Sequence, residues 1–282
     1  MFQADLLKTK RILITGGGTG LGRAMAERFL QLGAEAYICG SRADVLQQTC
    51  KELAAGTSGE IRSLVCDVRD RDAVEQMIAN IWNTGPLNVL VNNAAGNFIA
   101  RTEELSPRAW EAVLGIVLLG TLNLTLACGR RWLEAGLHGT VLNISTTYAA
   151  AASGSAYVVP SAVAKAGVLA LTESLAVEWG PRGIRLNAIA PGPIRTEGAF
   201  SRLLPRKDLE QHALARIPLQ RFGTLEEFAN LAAFLVSDGC AQINGEVVVM
   251  DGGEWLQGAS EFGYLGQLLS DSDWQNLRPK KR

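Results

Sequence analysis

The sequence predicts a doubly wound α/β fold, with seven short strands and intervening helices around one parallel sheet. Runs rich in Val, Ile and Leu recur at Arg11–Thr15, Ala36–Gly40, Ile61–Cys66, Leu87–Asn92, Thr140–Ile144, Ile184–Ile189 and Glu246–Met250. Between the first six lie stretches of helical spacing: Leu21–Leu32, Val45–Leu53, Ala73–Trp82, Pro107–Leu133 and Ser161–Trp179. Such alternation winds right-handed βαβ units into a parallel sheet. Of the 282 residues 48% are hydrophobic and 20% charged, which gives enough apolar surface for a large core and not the composition of a disordered chain. The pattern runs unbroken to residue 253, so we read 1–253 as one domain and 254–282 as a C-terminal extension.

Other classes are disfavoured at this level. With 27 Lys plus Arg against 28 Asp plus Glu, the net charge is −1, unlike the basic balance of nucleic-acid binders. The five cysteines, Cys39, Cys50, Cys66, Cys128 and Cys240, form no CxxC pair and read as buried thiols in a reducing compartment. Met1–Lys10 holds no apolar stretch of the length a leader or span needs, so a cytoplasmic chain without a membrane partner is expected. His138 and His212 have no ligand-spaced partner, and no metal is expected.

Helix ends follow from local chemistry. Ser106-Pro107 sets a capping hydroxyl before a first-turn proline, and Gly33, Gly136 and Gly180 each follow a helical run as a C-terminal cap would. In an open parallel sheet ligands bind beyond the carboxyl ends of the strands, so the loops after them are the place to look for function. The first strand runs into Thr15-Gly16-Gly17-Gly18-Thr19-Gly20-Leu21-Gly22, a GxxxGxG spacing that opens a helix. Missing Cβ atoms let that turn approach a pyrophosphate while the helix N-terminus offers free N–H groups to its charge. After the second strand the chain reads Cys39-Gly40-Ser41-Arg42 with no acid. A carboxylate there would bind a ribose 2′-hydroxyl, whereas Ser41 and Arg42 suit a 2′-phosphate, so NADP(H) is favoured. A solvated helix-start residue is the plain alternative for Arg42.

These segments, with Asn92-Asn93-Ala94-Ala95-Gly96 after the fourth strand and Pro191-Gly192-Pro193-Ile194 after the sixth, resemble the short-chain dehydrogenase/reductase family over residues 8–253. The resemblance implies a Rossmann-type sheet and a homotetramer. It further implies a cofactor site of Thr15, Gly16, Gly18, Thr19, Gly20, Leu21, Gly22, Ser41, Arg42, Asp67, Val68, Asn93, Ala94, Ala95, Gly96, Lys165, Pro191, Gly192, Pro193 and Ile194. Asp67 would bond the adenine and Lys165 the nicotinamide ribose. Ordinary members place a Tyr four residues before the Lys as proton donor to a carbonyl; here that residue is Ser161, a far weaker acid than a phenol. Their mid-helix Asn is Leu119 here, which removes the usual relay. Tyr157, eight residues before Lys165 and so about 12 Å of helical rise away, is a poor substitute.

One subgroup, the 2,4-dienoyl-CoA reductases, is similar through Asn93–Ile99, Tyr157–Ala166 and Pro191–Arg202. By that resemblance the active-site Tyr is Tyr148, in Ser145-Thr146-Thr147-Tyr148-Ala149, and Asn97 binds substrate. Lys165 and Ser161 complete the catalytic set. Arg69, Phe98, Ser106 and Arg202 match further substrate positions, with solvated surface residues as the plain alternative for the two arginines. The reaction implied is hydride addition from NADPH to C5 of a dienoyl-CoA thioester, with Tyr148 and Asn97 stabilising the enolate and a 3-enoyl-CoA as product. Two other readings stay open: another NADPH-dependent enoyl- or 3-oxoacyl-thioester reductase, and a non-catalytic NADPH-binding protein.

Overall fold

The computed structural model describes residues 2–57, 59–150, 154–196, 206–258 and 265–276. Seven parallel strands stand in the order β3-β2-β1-β4-β5-β6-β7: β1 (Arg11–Thr15), β2 (Glu35–Gly40), β3 (Ile61–Val65), β4 (Val89–Asn92), β5 (Gly139–Ile144), β6 (Ile184–Pro191) and β7 (Val247–Met250). The direction of crossover reverses between β1 and β4, and there the loops part to leave a crevice above the strand ends. Central strands are covered on both faces and read as continuous apolar runs. The edge strand β3 is half wet, with Arg62 and Val65 facing out.

Alternation along β1 sorts the core into two layers. Ile12 and Ile14 face Met25 and Phe29 of α1 (Gly20–Gln31), Leu46 and Leu53 of α2 (Ala43–Gly56), and Phe228 and Ala232 of a later helix. Leu13 faces the other way, into a cluster with Ile78 of α3 (Arg71–Trp82) and the buried Trp132 and Trp179. The Trp132 indole donates to Leu87 O at 2.7 Å, so the largest core side chain leaves no polar atom unpaired.

The long apolar stretch after Ser106 is not one helix. It divides into α4 (Pro107–Leu114), a π turn at Gly115–Leu119, and α5 (Gly120–Ala135). Close packing accompanies the wide turn: a Cβ on Gly120 would lie 2.6 Å from Val68 Cγ2, so the helix backbone there meets the Val68 side chain directly. Ser106 caps α4 as expected, its Oγ accepting the Ala109 N–H at 3.3 Å. By composition the span Pro107–Ala135 is long and apolar enough to cross a bilayer, but 56% of its most apolar window is packed inside the protein, as in a core helix.

Beyond β5 run α6 (Val159–Trp179), α7 (Lys207–Ala215), α8 (Leu225–Val236) and the short α9 (Glu254–Gly258), α10 (Leu265–Leu268) and α11 (Asp271–Asn276). Gly33 and Gly136 take the left-handed conformation of C-terminal caps, at φ 88 and 62. Gly180 does not. It stays right-handed and continues into a 3-10 turn, and Gly183, at φ 78, reverses the chain instead.

A buried polar chain ties the middle of the sheet to both flanking helices. Asn92 Nδ2 donates to Thr125 Oγ1 of α5 at 3.0 Å and to Asn143 Oδ1 at 2.9 Å, and Asn143 Nδ2 donates to Thr172 Oγ1 of α6 at 2.8 Å. Breaking it strands buried donors, each costing about 1–3 kcal/mol. Asn143→Leu is therefore expected to lower stability by roughly 2–4 kcal/mol, read as a lower urea midpoint at unchanged m-value.

Candidate active site

The crevice at the switch point is a cleft of about 2210 Å³. That exceeds the ~1000 Å³ upper range for one drug-sized ligand and leaves room for two. Its floor begins at the glycine turn after β1. Thr15 Oγ1 accepts the N–H groups of Asn93 and Ala94, both at 2.9 Å, and Asn93 Nδ2 donates to Thr15 O at 2.9 Å and Gly16 O at 3.2 Å. These bonds lock the loops after β1 and β4 to each other. Gly22 closes the turn from behind, since a Cβ there would lie 2.3 Å from Gly16 O. Thr15 and Gly22 thus brace the turn from outside the cleft, while Gly16, Gly18, Thr19, Gly20 and Leu21 face into it.

The turn fits a dinucleotide. Thr19 heads α1 without a side-chain capping bond and the first turn carries no acid, which leaves its N–H groups to an anion. Ser41 and Arg42, both exposed, line the cleft at the end of β2. Asp67 lines it after β3, its carboxylate held by Arg69 through Nε at 2.9 Å and Nη2 at 2.5 Å. Those bonds hold the Asp67 carboxyl below the usual carboxylate range. Val68, Asn93–Gly96 and Pro191–Ile194 complete this wall. The last turn is pinned by Gly192 N–H to Met250 O at 2.9 Å and Gly223 N–H to Pro193 O at 3.1 Å.

Past the cofactor-sized half, three segments converge. Tyr148 sits on a single 3-10 turn after β5, Asn97 on the loop after β4, and Ser161 in the first turn of α6. Asn97 Nδ2 donates to Tyr148 Oη at 3.1 Å, and Tyr148 Oη lies 3.1 Å from Ser161 Oγ. The Phe98 N–H donates to Asn97 Oδ1 at 2.9 Å, which fixes the amide with its nitrogen toward the phenol. The resemblance implies Tyr148 and Asn97 as separate donors to one oxygen. Here they stand in series, with one Asn97 N–H and the Tyr148 proton still to be assigned.

One turn beyond Ser161 on the same helix face, Lys165 is buried and its Nζ donates to Ile144 O. Burial brings its pKa down to about 8. Ser145 lines the same wall, and its hydroxyl is buried with no partner among the described residues, a polar atom that sequence reasoning did not single out. Not every expected residue converges. Phe98 packs against Val113, Val117 and Ala164, and Ser106 is spent on its cap, so neither faces the cleft. Leu119 is half exposed and points outward; from this segment it is Ile116 that lines the cleft. Arg202 lies outside the described residues. From the extension, Glu254 and Trp255 reach the cleft wall, and Glu254 pairs with Arg216 at 3.5 Å.

A family model described as enoyl-(acyl carrier protein) reductase matches residues 16–254. The chain is 44% identical over 252 residues to a probable 2,4-dienoyl-CoA reductase of Bacillus subtilis named as (2E)-enoyl-CoA-producing, covering 89% of this chain and 98% of that one. It is 41% identical over 272 residues to a probable 2,4-dienoyl-CoA reductase of Caenorhabditis elegans named as (3E)-enoyl-CoA-producing, covering 95% and 86%. Among solved structures, a short chain dehydrogenase from Bacillus anthracis superposes with a TM-score of 0.79 at 43% identity, over 88% of this chain and 97% of that one. A putative NAD(P)-dependent gluconate 5-dehydrogenase from Beutenbergia cavernae with bound NADP gives 0.83 at 32%, over 91% and 100%. The chain belongs to the short-chain dehydrogenase/reductase family and is an oxidoreductase. Within that family it is similar over most of its length to proteins named 2,4-dienoyl-CoA reductases.

The Lys165 value carries a stability consequence. Folded, the ammonium titrates near 8, below its unfolded value of about 10.4, so burial costs on the order of 3 kcal/mol at neutral pH. That cost is constant below pH 8 and is relieved as pH rises toward about 10, where the unfolded chain binds the extra proton. Lys165→Met is expected to stabilise the ligand-free protein by about 1–3 kcal/mol at pH 7, with the gain shrinking above pH 8. Denaturant titrations of both proteins at pH 7 and 9.5 check the sign.

Proposed function

We propose that the protein is an NADPH-dependent 2,4-dienoyl-CoA reductase that yields a 3-enoyl-CoA and works as a homotetramer. The observation that carries the reading is the Asn97–Tyr148–Ser161 chain, in which a tyrosine from the β5 loop stands beside a serine on α6 where ordinary family members place their acid. The relatives' names supply the substrate class. Ser41 and Arg42 with no nearby acid in Cys39–Arg42 support the 2′-phosphate. Leu119, Val163 and Val177 are exposed apolar side chains of the kind a second copy would cover.

In this reading the glycine turn and α1 hold the pyrophosphate, Asp67 the adenine, and Lys165 the nicotinamide ribose. Asp67 keeps acceptor capacity for an amino group beside Arg69. When bound, the cofactor supplies a hydride to C5 of the conjugated thioester. The chain's own task is to hold the charge that reaches the thioester oxygen. Tyr148 gives its single proton to that oxygen as a hydrogen bond, and Ser161 then turns to donate to the phenol. With Asn97 also donating, two hydrogen bonds enter the Tyr148 oxygen, which makes the phenol a stronger donor just where charge develops. Proton delivery to the α-carbon, leaving the double bond at C3, completes the reaction.

Dienoyl-CoA-dependent NADPH oxidation is expected in the wild type, with acetoacetyl-CoA inert. Tyr148→Phe should lower kcat by about 10²–10³ and Asn97→Ala by a comparable factor, with NADPH affinity retained. The family model's description favours a 2-enoyl thioester as the second reading. Turnover of a 2-enoyl-CoA in place of the dienoyl-CoA would select it, and NADPH binding without turnover of either would leave a non-catalytic binder.

A further inference from the structure

Tyr157 is set aside by its spacing from Lys165, yet the structure puts it in the cleft with an unusual backbone. Its φ is 67, the left-handed region; among the described residues only Gln220 joins it there without being glycine. Bulky side chains avoid this region, and such strain persists where the surroundings impose it and tends to collect at ligand sites. Two contacts impose it here. The Ala100 N–H donates to Tyr157 O at 2.9 Å, and the next residues, Val158, Pro160 and Ser161, are buried as α6 begins. What the strain achieves is the placement of the ring, which stays 59% exposed while lining the cleft.

The location selects the ligand. Asp67 follows β3 and Tyr157 follows β5, four strands apart in the sheet order, so about 19 Å separates the adenine end from this rim. Tyr157 stands just ahead of α6, four residues before Ser161, and lines the same cleft. A thioester oxygen held at Tyr148, beside Ser161, brings the acyl carbons into the part of the cleft that Tyr157 lines.

We propose that Tyr157 is a substrate-contacting residue whose ring covers the conjugated carbons of the acyl thioester. The inference rests on the dienoyl-CoA reading. An apolar cover at that point also keeps water from the Tyr148–Asn97 pair, where hydrogen bonds to a developing negative charge strengthen as solvent is excluded.

The position makes stability and function move in opposite directions. Asn and Gly accept a left-handed backbone, so Tyr157→Asn and Tyr157→Gly should raise Tm by about 2 °C while raising KM for 2,4-decadienoyl-CoA about tenfold. KM for NADPH and inhibition by free CoA should stay within about twofold, and Tyr157→Phe should match the wild type throughout. Wild-type turnover of the dienoyl-CoA is measured first, because its absence defeats the parent reading and not this assignment. With wild-type turnover present, a higher Tm at unchanged KM would show the ring to be idle. Parallel weakening of free-CoA inhibition would assign the ring to the CoA moiety, and a lower Tm with all constants shifted would make its role structural; each result overturns the proposal.

Discussion

The Tyr148 hydroxyl is held between an amide and a second hydroxyl, and the proposed active site is organised around that placement. Its neighbours come from different crossovers: Asn97 from the loop after β4, Ser161 from the first turn of α6. Neither could meet a side chain from the β5 turn unless β4 and β5 were in register, which their ladder from Val89–Thr140 to Asn92–Asn143 ensures. The buried amide chain through Asn92, Asn143 and Thr172 fixes α6 against the same strands. A hydrogen-bonded phenol so tightly positioned needs little reorganisation when charge appears beside it, the condition under which such donors are worth most.

In the proposed reading, function is set against stability at two points. Lys165 holds a cation in a buried wall with a carbonyl as its described partner, and Tyr157 keeps an aromatic residue in a glycine-like conformation. Neither choice serves the fold alone, because an apolar side chain at the first and a glycine at the second would fold more readily. The cleft between them is kept open by the opposite device. At Gly22 and Gly120 backbone meets backbone or side chain at distances no Cβ would allow, which packs the glycine turn and the end of the π turn closely without filling the crevice.

Much of this was legible in the sequence because its signals are local. Strand runs of Val and Ile mark all seven strands to within two residues at either end, since buried parallel strands are apolar on both faces. The glycine turn faces the cleft as its place between β1 and α1 implied, and the Asn93–Gly96 loop does so as the family resemblance implied. What was not legible depends on packing. Within the π turn Ile116 faces the cleft and Leu119 is half exposed, and hydrophobic periodicity in a span apolar on all sides hides which residue takes which side. Phe98 and Ser106 turn away for related reasons: one finds apolar neighbours in a helix pair, the other a helix N-terminus to cap. The helix Leu225–Val236 did announce itself, through Thr224 and Glu227 in a capping box that a search for strand–helix alternation passes over.

The account turns on where the hydride goes, so the most direct measurement is its position in the product. Reaction of 2,4-decadienoyl-CoA with NADPH carrying deuterium at the transferable C4 position, followed by NMR of the enoyl-CoA formed, reads it without any variant. Deuterium at C5 with the remaining double bond at C3 is the predicted result. Deuterium at C3, or at a carbinol carbon, would mean that the charge is not delivered through a diene to an oxygen at Tyr148, and would contradict the central claim.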